Sequence, residues 1–458
     1  MATMKLCGVP IPSIWGNALL CAAFLLGPAA SPSHAQQADA AVTPLLITLD
    51  EAIQRAQKNE PVLAAAIAES KSAGLDRSIA RAAMLPTAVY HNQALYTQPN
   101  GLQNQAGQTG SQPSPRFIAN NAVREYASQG VVTETLSLQQ TAALKHADAA
   151  ALRLAAEAEI ARRGLVTTVV TFYYGALAAD HKQEIAARSL DEATAFTSLT
   201  QKRETAREAA HADVVKAQLE EQQRQRDVSD AELAKQKARL ELAVLLFSDP
   251  RTPYNLQSTS SAPALPVRSV VESAAGKNNP ELRSALASLK ESDADVQAAR
   301  AAYLPDLGLN FIYGIDAPQF AANGPDRVHN LGYAASVTVD IPVWDWLATQ
   351  HKVRQSEIRR DAVKVALTAA QKRVLVDLNE FYAEASAAQK QLESLDASVQ
   401  TASESLRLTK LRYAGGETTV LEVVDAQNAL ILAENAREDG ALRYQAALAN
   451  LQTLTGTL

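Results

Sequence analysis

Few side chains in this 458-residue sequence are spaced for chemistry. Glu422 and Asp425 lie three positions apart where a helix should begin, so their carboxylates share one face. Two readings fit the pair: anions that draw cations, or ordinary first-turn acids favoured by the helix dipole. The seven histidines include no i, i+4 pair of the kind that holds a metal on a helix. Neither a Gly-x-Ser-x-Gly elbow nor a phosphate-cradling glycine loop with lysine occurs. Gly415-Gly416 reads as a turn rather than a nucleotide fingerprint. Both cysteines, Cys7 and Cys21, fall in the first 21 residues. Without that segment the chain has no thiol nucleophile, disulfide or Cys-ligated zinc site. No enzyme, metal or cofactor is expected.

Hydrophobic residues make up 47% of the chain, but alanine supplies much of that share, and aromatics are only 5%. Alanine buries little area, so close helix–helix contact is a better expectation than a thick core. A net charge of −6 disfavours nucleic acid as a partner. Residues 1–35 read as a secretory signal peptide: Lys5, an apolar run over 14–26, and a small-x-Ala site at Ser33-His34-Ala35. Cys21 raises lipoprotein processing as an alternative, but Leu19-Leu20 is a poor match to the small residues that such cleavage needs. The following sequence contains no run of 18 apolar residues, so any membrane contact must come from strands or a surface.

The elements that would position the acidic pair occur twice. Lys58-Asn59-Glu60-Pro61 returns as Lys277-Asn278-Asn279-Pro280, and Arg81-Ala82-Ala83-Met84-Leu85-Pro86 returns as Arg300-Ala301-Ala302-Tyr303-Leu304-Pro305, both at an offset of 219. Phe172-Tyr173 and Phe381-Tyr382, Arg203 and Arg412, and Val214-Val215-Lys216-Ala217-Gln218 and Val423-Val424-Asp425-Ala426-Gln427 are all 209 apart. The change of offset marks a loop of different length. The division is a leader (1–35), a first repeat (36–247), a Pro/Ser-rich linker (248–268) and a second repeat (269–458). Each repeat reads helix, two strands, very long helix, turn, helix.

In the second repeat, 307–315 and 331–343 alternate apolar with small or polar residues, the period of a strand. Each run reaches the roughly 9–11 residues a tilted membrane strand needs; a soluble hairpin is the alternative. The matching runs of the first repeat, 87–96 and 125–137, alternate only weakly. Residues 346–414 contain neither glycine nor proline. At 1.5 Å per residue that is a helix of roughly 100 Å. Its stripe of Val363, Leu367, Ala370, Val374, Leu378, Phe381 and Ala385 has a period near 3.67, which permits almost straight helices. A coiled-coil rod is the plainer alternative. The first repeat has its counterpart over 138–203, interrupted by Gly164 and Gly175. Trp344 and Trp346 could anchor at a membrane interface or pack where strands meet helices.

Four strands cannot close a membrane barrel, since single-chain barrels have at least about eight, and open edges are too costly in lipid. Several chains must therefore share one barrel, two giving eight strands and three giving twelve. The strand connections 97–124 and 316–330 are polar and rich in turn formers, as extracellular loops are.

With these features the chain resembles the TolC-like outer-membrane efflux family. The matching residues are Ala82–Pro86 and Ala301–Pro305 leading into the strands, Ile341-Pro342-Val343-Trp344-Asp345 leaving them, and above all Arg412-Tyr413-Ala414-Gly415-Gly416-Glu417 continuing to Gln427. Trp346-Leu347 stands where the family often has Gly-Gly, so the strand-to-helix turn is expected to differ. Ala206-Arg207 likewise replaces the Gly415-Gly416 of the second repeat.

The resemblance implies a mostly α fold with membrane β: a homotrimer with a twelve-stranded β-barrel in the outer membrane, continuous with a long α-helical barrel across the periplasm. It implies a passive exit duct that docks on a periplasmic adaptor and an inner-membrane pump or secretion ATPase. Glu422 and Asp425 match the acidic rings of the family's periplasmic constriction, where mutual repulsion would raise some carboxylate pKa values. Gly415 and Gly416 match its tip turn. Tyr413 and Asp213 match a contact that helps hold such channels closed, although Asp213 also fits a helix cap. The alternative function is a periplasmic adaptor with long helical hairpins.

Overall fold

The computed structural model describes residues 45–96, 124–258, 263–317, 319–324 and 329–456. The leader, with Cys21, lies outside the described residues. So do 97–123 and parts of the linker (259–262) and second loop (318, 325–328). In chain order the elements are β1 (Leu45–Ile47), α1 (Leu49–Asn59), α2 (Pro61–Ala82), β2 (Thr87–Tyr96), β3 (Arg124–Leu136), α3 (Leu138–Thr205) and α4 (His211–Leu246). There follow β4 (Tyr254–Leu256), α5 (Arg268–Asn278), α6 (Pro280–Ala301), β5 (Asp306–Ala317), β6 (Leu331–Asp340), α7 (Ala348–Ala414) and α8 (Val420–Thr455).

The recurring Lys-Asn-x-Pro step is a helix break. Pro61 and Pro280 each open a helix, where a missing amide costs nothing. Asn279 Oδ1 caps the second break by accepting the Leu282 amide at 2.9 Å. Two helices therefore precede each strand pair where the sequence suggested one. A short parallel pairing of β1 with β4, unforeseen in the sequence, joins the start of the described chain to the segment after α4.

Four strands form one antiparallel sheet in the order β2-β3-β5-β6, without a bulge in the register. Cross-strand partners share a face. One face of β5 and β6 carries Leu307↔Val339, Leu309↔Val337, Tyr313↔Tyr333 and Ile315↔Leu331. The other carries Gly308↔Thr338, Asn310↔Ser336 and Gly314↔Gly332. Leu309, Phe311, Tyr313, Tyr333, Val337 and Val339 are all exposed. β6 ends at Asp340, short of the expected Val343, because Pro342 has no amide to extend a ladder.

The helices keep the order of the strands they adjoin. α2 packs on α3, α3 on α6, and α6 on α7. Further along, α4 packs on α3, α3 on α8, and α8 on α7. Small residues set the spacing between α3 and α6: Ala142, Ala149 and Ala156 are buried on one, and Ala287, Ala294 and Ala301 on the other. The expected stripe of α7 is the side the fold covers; Val374, Leu378 and Ala385 are buried, whereas Val365, Leu375 and Val376 face out.

α3 continues unbroken through Gly164 and Gly175. Glycine costs a helix about 1 kcal/mol, and the burial of Leu165, Val166, Val169 and Tyr173 at that level outweighs it. The main core lies here, where Ile47, Ala52, Leu242, Leu246 and Tyr254 close around Tyr173. The Tyr173 hydroxyl sits 2.8 Å from the Gln257 carbonyl and 3.1 Å from that of Ile47, and burial pushes its pKa up to about 12.

The end of α8 is held by a buried arginine. Arg163 Nε donates to Glu159 at 2.6 Å and Nη1 to the Thr453 carbonyl at 3.0 Å. Hydrogen bonds from Arg162 first, then Arg163, hold the Glu159 carboxyl down at about 2. Gly456, with φ +75°, ends the helix directly against this guanidinium: a Cβ there would stand 2.6 Å from Nη2. Gly456→Ala should therefore destabilise the protein by about 1–3 kcal/mol, combining a left-handed Cβ penalty with displacement of Arg163. A lowered thermal midpoint in detergent checks this, and an Arg163→Ala background should shrink the effect.

Candidate functional site

Two turns return the chain, one between α3 and α4 and one between α7 and α8. They use one hydrogen-bond pattern. In the first, the Arg207 amide donates to the Glu204 carbonyl at 2.8 Å and the Glu208 amide to the Arg203 carbonyl at 2.8 Å. In the second, Gly416 donates to Tyr413 at 3.0 Å and Glu417 to Arg412 at 2.9 Å. Gly416 has φ +78° and Arg207, at the matching position, φ +62°. The lack of glycine had left the detailed geometry of the first turn open. It keeps the same geometry, with a side chain in a region that disfavours one.

Between the turns lies a small core of Phe196, Ala217, Tyr413, Val420, Val423 and Val424, drawn from α3, α4, α7 and α8. Tyr413 is 5% exposed and its ring centroid lies 5.1 Å from that of Phe196. Arg203 covers the same ring at 4.8 Å and donates from Nη1 to the Tyr413 carbonyl at 2.6 Å and from Nη2 to the Ala414 carbonyl at 3.3 Å. A cation on the last carbonyls of α7 also suits the negative end of that helix. Arg203 thus ties one turn to the other. Sequence reasoning noted it only as the repeat partner of Arg412, and that repeated position was the available signal.

The predicted site residues separate into two groups. Tyr413, Gly415 and Gly416 belong to the turn and its core. Glu422 and Asp425 lie on one exposed face of α8, while Val423, Val424 and Gln427 are buried behind them. Glu422 is tied to its own helix start. The Thr418 hydroxyl, then the Thr419 amide, and more weakly the Arg412 charge hold its carboxyl below the ordinary glutamate range. Arg412 Nη1 is 3.8 Å from it. Asp213 does the matching job on α4, accepting the Ala210 amide at 3.3 Å. Asp425 has no such tether among the described residues.

The Tyr413 hydroxyl meets Thr200 Oγ1 at 3.4 Å. Among the described residues no hydrogen bond joins Tyr413 to Asp213 within the chain. Among the same residues, no group of three or more His, Asp or Glu side chains is placed to hold a metal.

Residues 271–457 match the family described as "Outer membrane efflux protein". The pyoverdine export outer membrane protein OpmQ of Pseudomonas putida is 26% identical over 424 residues, covering 89% of this chain and 86% of that protein. The outer membrane protein OprJ of Pseudomonas aeruginosa is 26% identical over 177 residues, covering 38% of this chain and 36% of OprJ. The crystal structure of the Campylobacter jejuni CmeC outer membrane channel superposes with a TM-score of 0.74 at 15% identity, over 89% of this chain and 85% of that one. The fold is that of the TolC-like channels. Over residues 271–457 the chain thus matches the outer membrane efflux proteins, and over most of its length it is similar to an outer-membrane export protein.

Arg207→Gly should stabilise the first turn by about 1 kcal/mol, since glycine takes the left-handed conformation without a Cβ penalty. A raised thermal midpoint checks it. In planar bilayers Asp425→Asn should weaken cation selectivity without changing stability, whereas Glu422→Gln should reduce both. Because the Glu422 pKa is depressed, its carboxylate and the stability it lends are retained above the usual glutamate pKa and vanish as pH falls through the lowered value. The stability that Glu422 lends within the chain should thus persist below pH 4.5, the ordinary value, and be lost on further acidification. Unaltered reversal potentials in both variants would take the acids out of the pore.

Proposed function

We propose that this protein is the outer-membrane exit duct of a tripartite efflux or type I secretion system, a passive conduit across the periplasm and outer membrane. One observation carries the reading: every row of elements is open at both ends. β2 and β6 are each bonded on one side only. Val62, Leu75 and Ile79 on α2, Leu219, Leu233 and Val244 on α4, and Ile358, Val365 and Leu375 on α7 leave apolar faces uncovered.

A second copy fits those ends. β2 and β6 run in opposite directions, so β6 of one copy beside β2 of the next continues the antiparallel alternation. Three copies make a twelve-stranded barrel, and the helix rows close with it into a twelve-helix tube. The two-repeat division, with residues 248–268 as linker, is supported by element lengths: α1 and α5 have 11 residues each, α2 and α6 22, α4 and α8 36, and α3 and α7 68 and 67.

In this assembly Glu422 and Asp425 form acidic rings at the narrow periplasmic end, and Tyr413 and Asp213, beside the two turns, belong to the contacts that hold the tip closed. A periplasmic adaptor docks on the tube, and an inner-membrane pump or secretion ATPase supplies the energy. Being itself an adaptor is set aside, because OpmQ, which aligns over most of the chain, is an outer-membrane protein.

Native mass spectrometry of the detergent-solubilised protein should find a trimer that conducts in planar bilayers. A lone subunit that forms no pores would refute the duct, and a conducting dimer would refute the three-fold closure.

A further inference from the structure

On the tip side of the main core, α3, α4 and α8 enclose a groove of about 570 Å³. Its floor is made of short side chains, Ala178 and Ala186 on α3 and Ala231 and Ala234 on α4, with Ile431 of α8 as one wall. Three helices meeting around alanines leave a hollow, and this one has the size and apolar lining of a small-molecule site. Charge sits on the rim. Lys182 Nζ donates to Asp439 at 2.6 Å. Arg224 Nη1 donates to Asp227 at 2.7 Å, while its other nitrogens reach Glu220 and Asn428. Both cations are thereby paired. Asp230 is exposed on the same rim and makes no hydrogen bond or ion pair among the described residues.

Towards the tip the groove runs on into a smaller recess, since Ser189, Arg224 and Ile431 line both. Gln427 lines this recess, is only 6% exposed, and its Nε2 meets no acceptor. A buried donor without a partner is costly, and an acceptor carried by a ligand satisfies it. Two tyrosines mark the opposite side of the helix layer. Tyr173 bonds the carbonyls of Ile47 and Gln257, and the Tyr444 hydroxyl donates to the Pro263 carbonyl at 2.7 Å. Lys182 stands nine residues after Tyr173, and Asn435, also in the groove, nine before Tyr444. Nine residues make two and a half helical turns. The groove therefore opens on the face of α3 and α8 turned away from β1, β4 and the linker.

We propose that this groove binds an amphipathic organic cation in transit through the duct. The inference rests on the outer-membrane duct reading for its access. In a closed tube, three copies of β1, α1 and β4 on the inside would fill the bore, so they lie outside and the groove faces the bore. A partner protein packing on the tube from outside meets the other face. What reaches the groove is cargo small enough to travel in the bore. Charge then selects the class. The alanine floor takes an apolar ring system, Asp230 pairs with the cation, and Gln427 Nε2 donates to a ligand oxygen. An anion meets no unpaired cation on the rim, because Lys182 and Arg224 are engaged. The polar contacts are few and the groove is open on one side, so cargo is held briefly and released, as conduction requires.

The test follows the fluorescence anisotropy of rhodamine 6G, a cationic dye with an ester carbonyl, added to the purified protein in detergent. The dye should bind saturably, and the anionic dye fluorescein should not. Asp230→Asn should weaken binding about fivefold, the value of one partly exposed ion pair. Gln427→Leu should weaken it as well. Ala234 is exposed in the groove, so Ala234→Trp fills the space without displacing a packed residue and should abolish binding. Thermal midpoints equal to wild type show that Asp230→Asn and Ala234→Trp keep the fold. No saturable binding, or binding that all three variants leave unaltered, would overturn the inference. In planar bilayers the dye should block current in the wild type and not in Ala234→Trp. A current indifferent to bound dye would put the groove outside the bore and overturn the inference. Pores without dye binding refute the site alone, whereas absence of pores in every sample refutes the duct, and the transit role with it.

Discussion

A strand edge cannot remain open in hydrocarbon. Each unpaired N–H or C=O that loses water without gaining a partner costs several kcal/mol, and β2 and β6 each present such a row along ten residues. Among the described residues no rearrangement within the chain removes both rows, because the sheet order already uses all four long strands. The proposed closure by copies would fix more than the barrel. Each flanking helix is covalently joined to a strand, so an order that closes the sheet would also bring α2 of one copy beside α7 of the next. The apolar faces that α2 and α7 expose lie where that closure would cover them.

Rows of helices side by side require near approach and stable register, and different residues supply the two. Alanines at seven-residue spacing on α3 and α6 allow the approach without a thick core. Register is assisted by ion pairs between helices: Arg153 with Glu291, Lys182 with Asp439, Arg188 with Glu434, Lys410 with Glu192, and Arg443 with Glu384. Exposed pairs of this kind each contribute at most about 1 kcal/mol. Their use lies in disfavouring a slipped alignment, where like charges would meet.

Legibility in the sequence followed the length over which a pattern repeats. The long helices were plain because sixty or more residues without a stop admit little else, and the stripe from Val363 to Ala385 marked the covered side of α7. The strands of the second repeat showed in their alternation. Those of the first were weaker because Ser128 and Asn92 interrupt the face that carries Tyr90 and Val132; the Ser128 hydroxyl bonds both Tyr90 and Asn92 across the ladder. The β1–β4 pairing was hidden, since three residues a side carry no period. At the tip, the acids could be placed on one face from spacing alone, but not their different duties. That the Glu422 carboxyl is held below its ordinary range by its own helix start depends on the local course of Thr418 and Thr419, which spacing does not report.

The left-handed residues show which features govern the turns. Arg207, Trp346 and Leu347 are the non-glycine residues with positive φ among the described residues, and all three stand where one long element hands over to another. If turn residues dictated the turn, losing glycine would have changed its course. The first tip instead repeats every hydrogen bond of the second. Helices of fixed length packed side by side leave one path for the connecting chain, and the residues on that path adopt whatever dihedrals it demands. Glycine meets the demand without strain, whereas another side chain is retained only where strain is tolerated or offset. At Arg207 the cost is borne by a surface turn. At Trp346 and Leu347 it is incurred twice in succession, on side chains that face outward, so contacts within the chain do little to offset it.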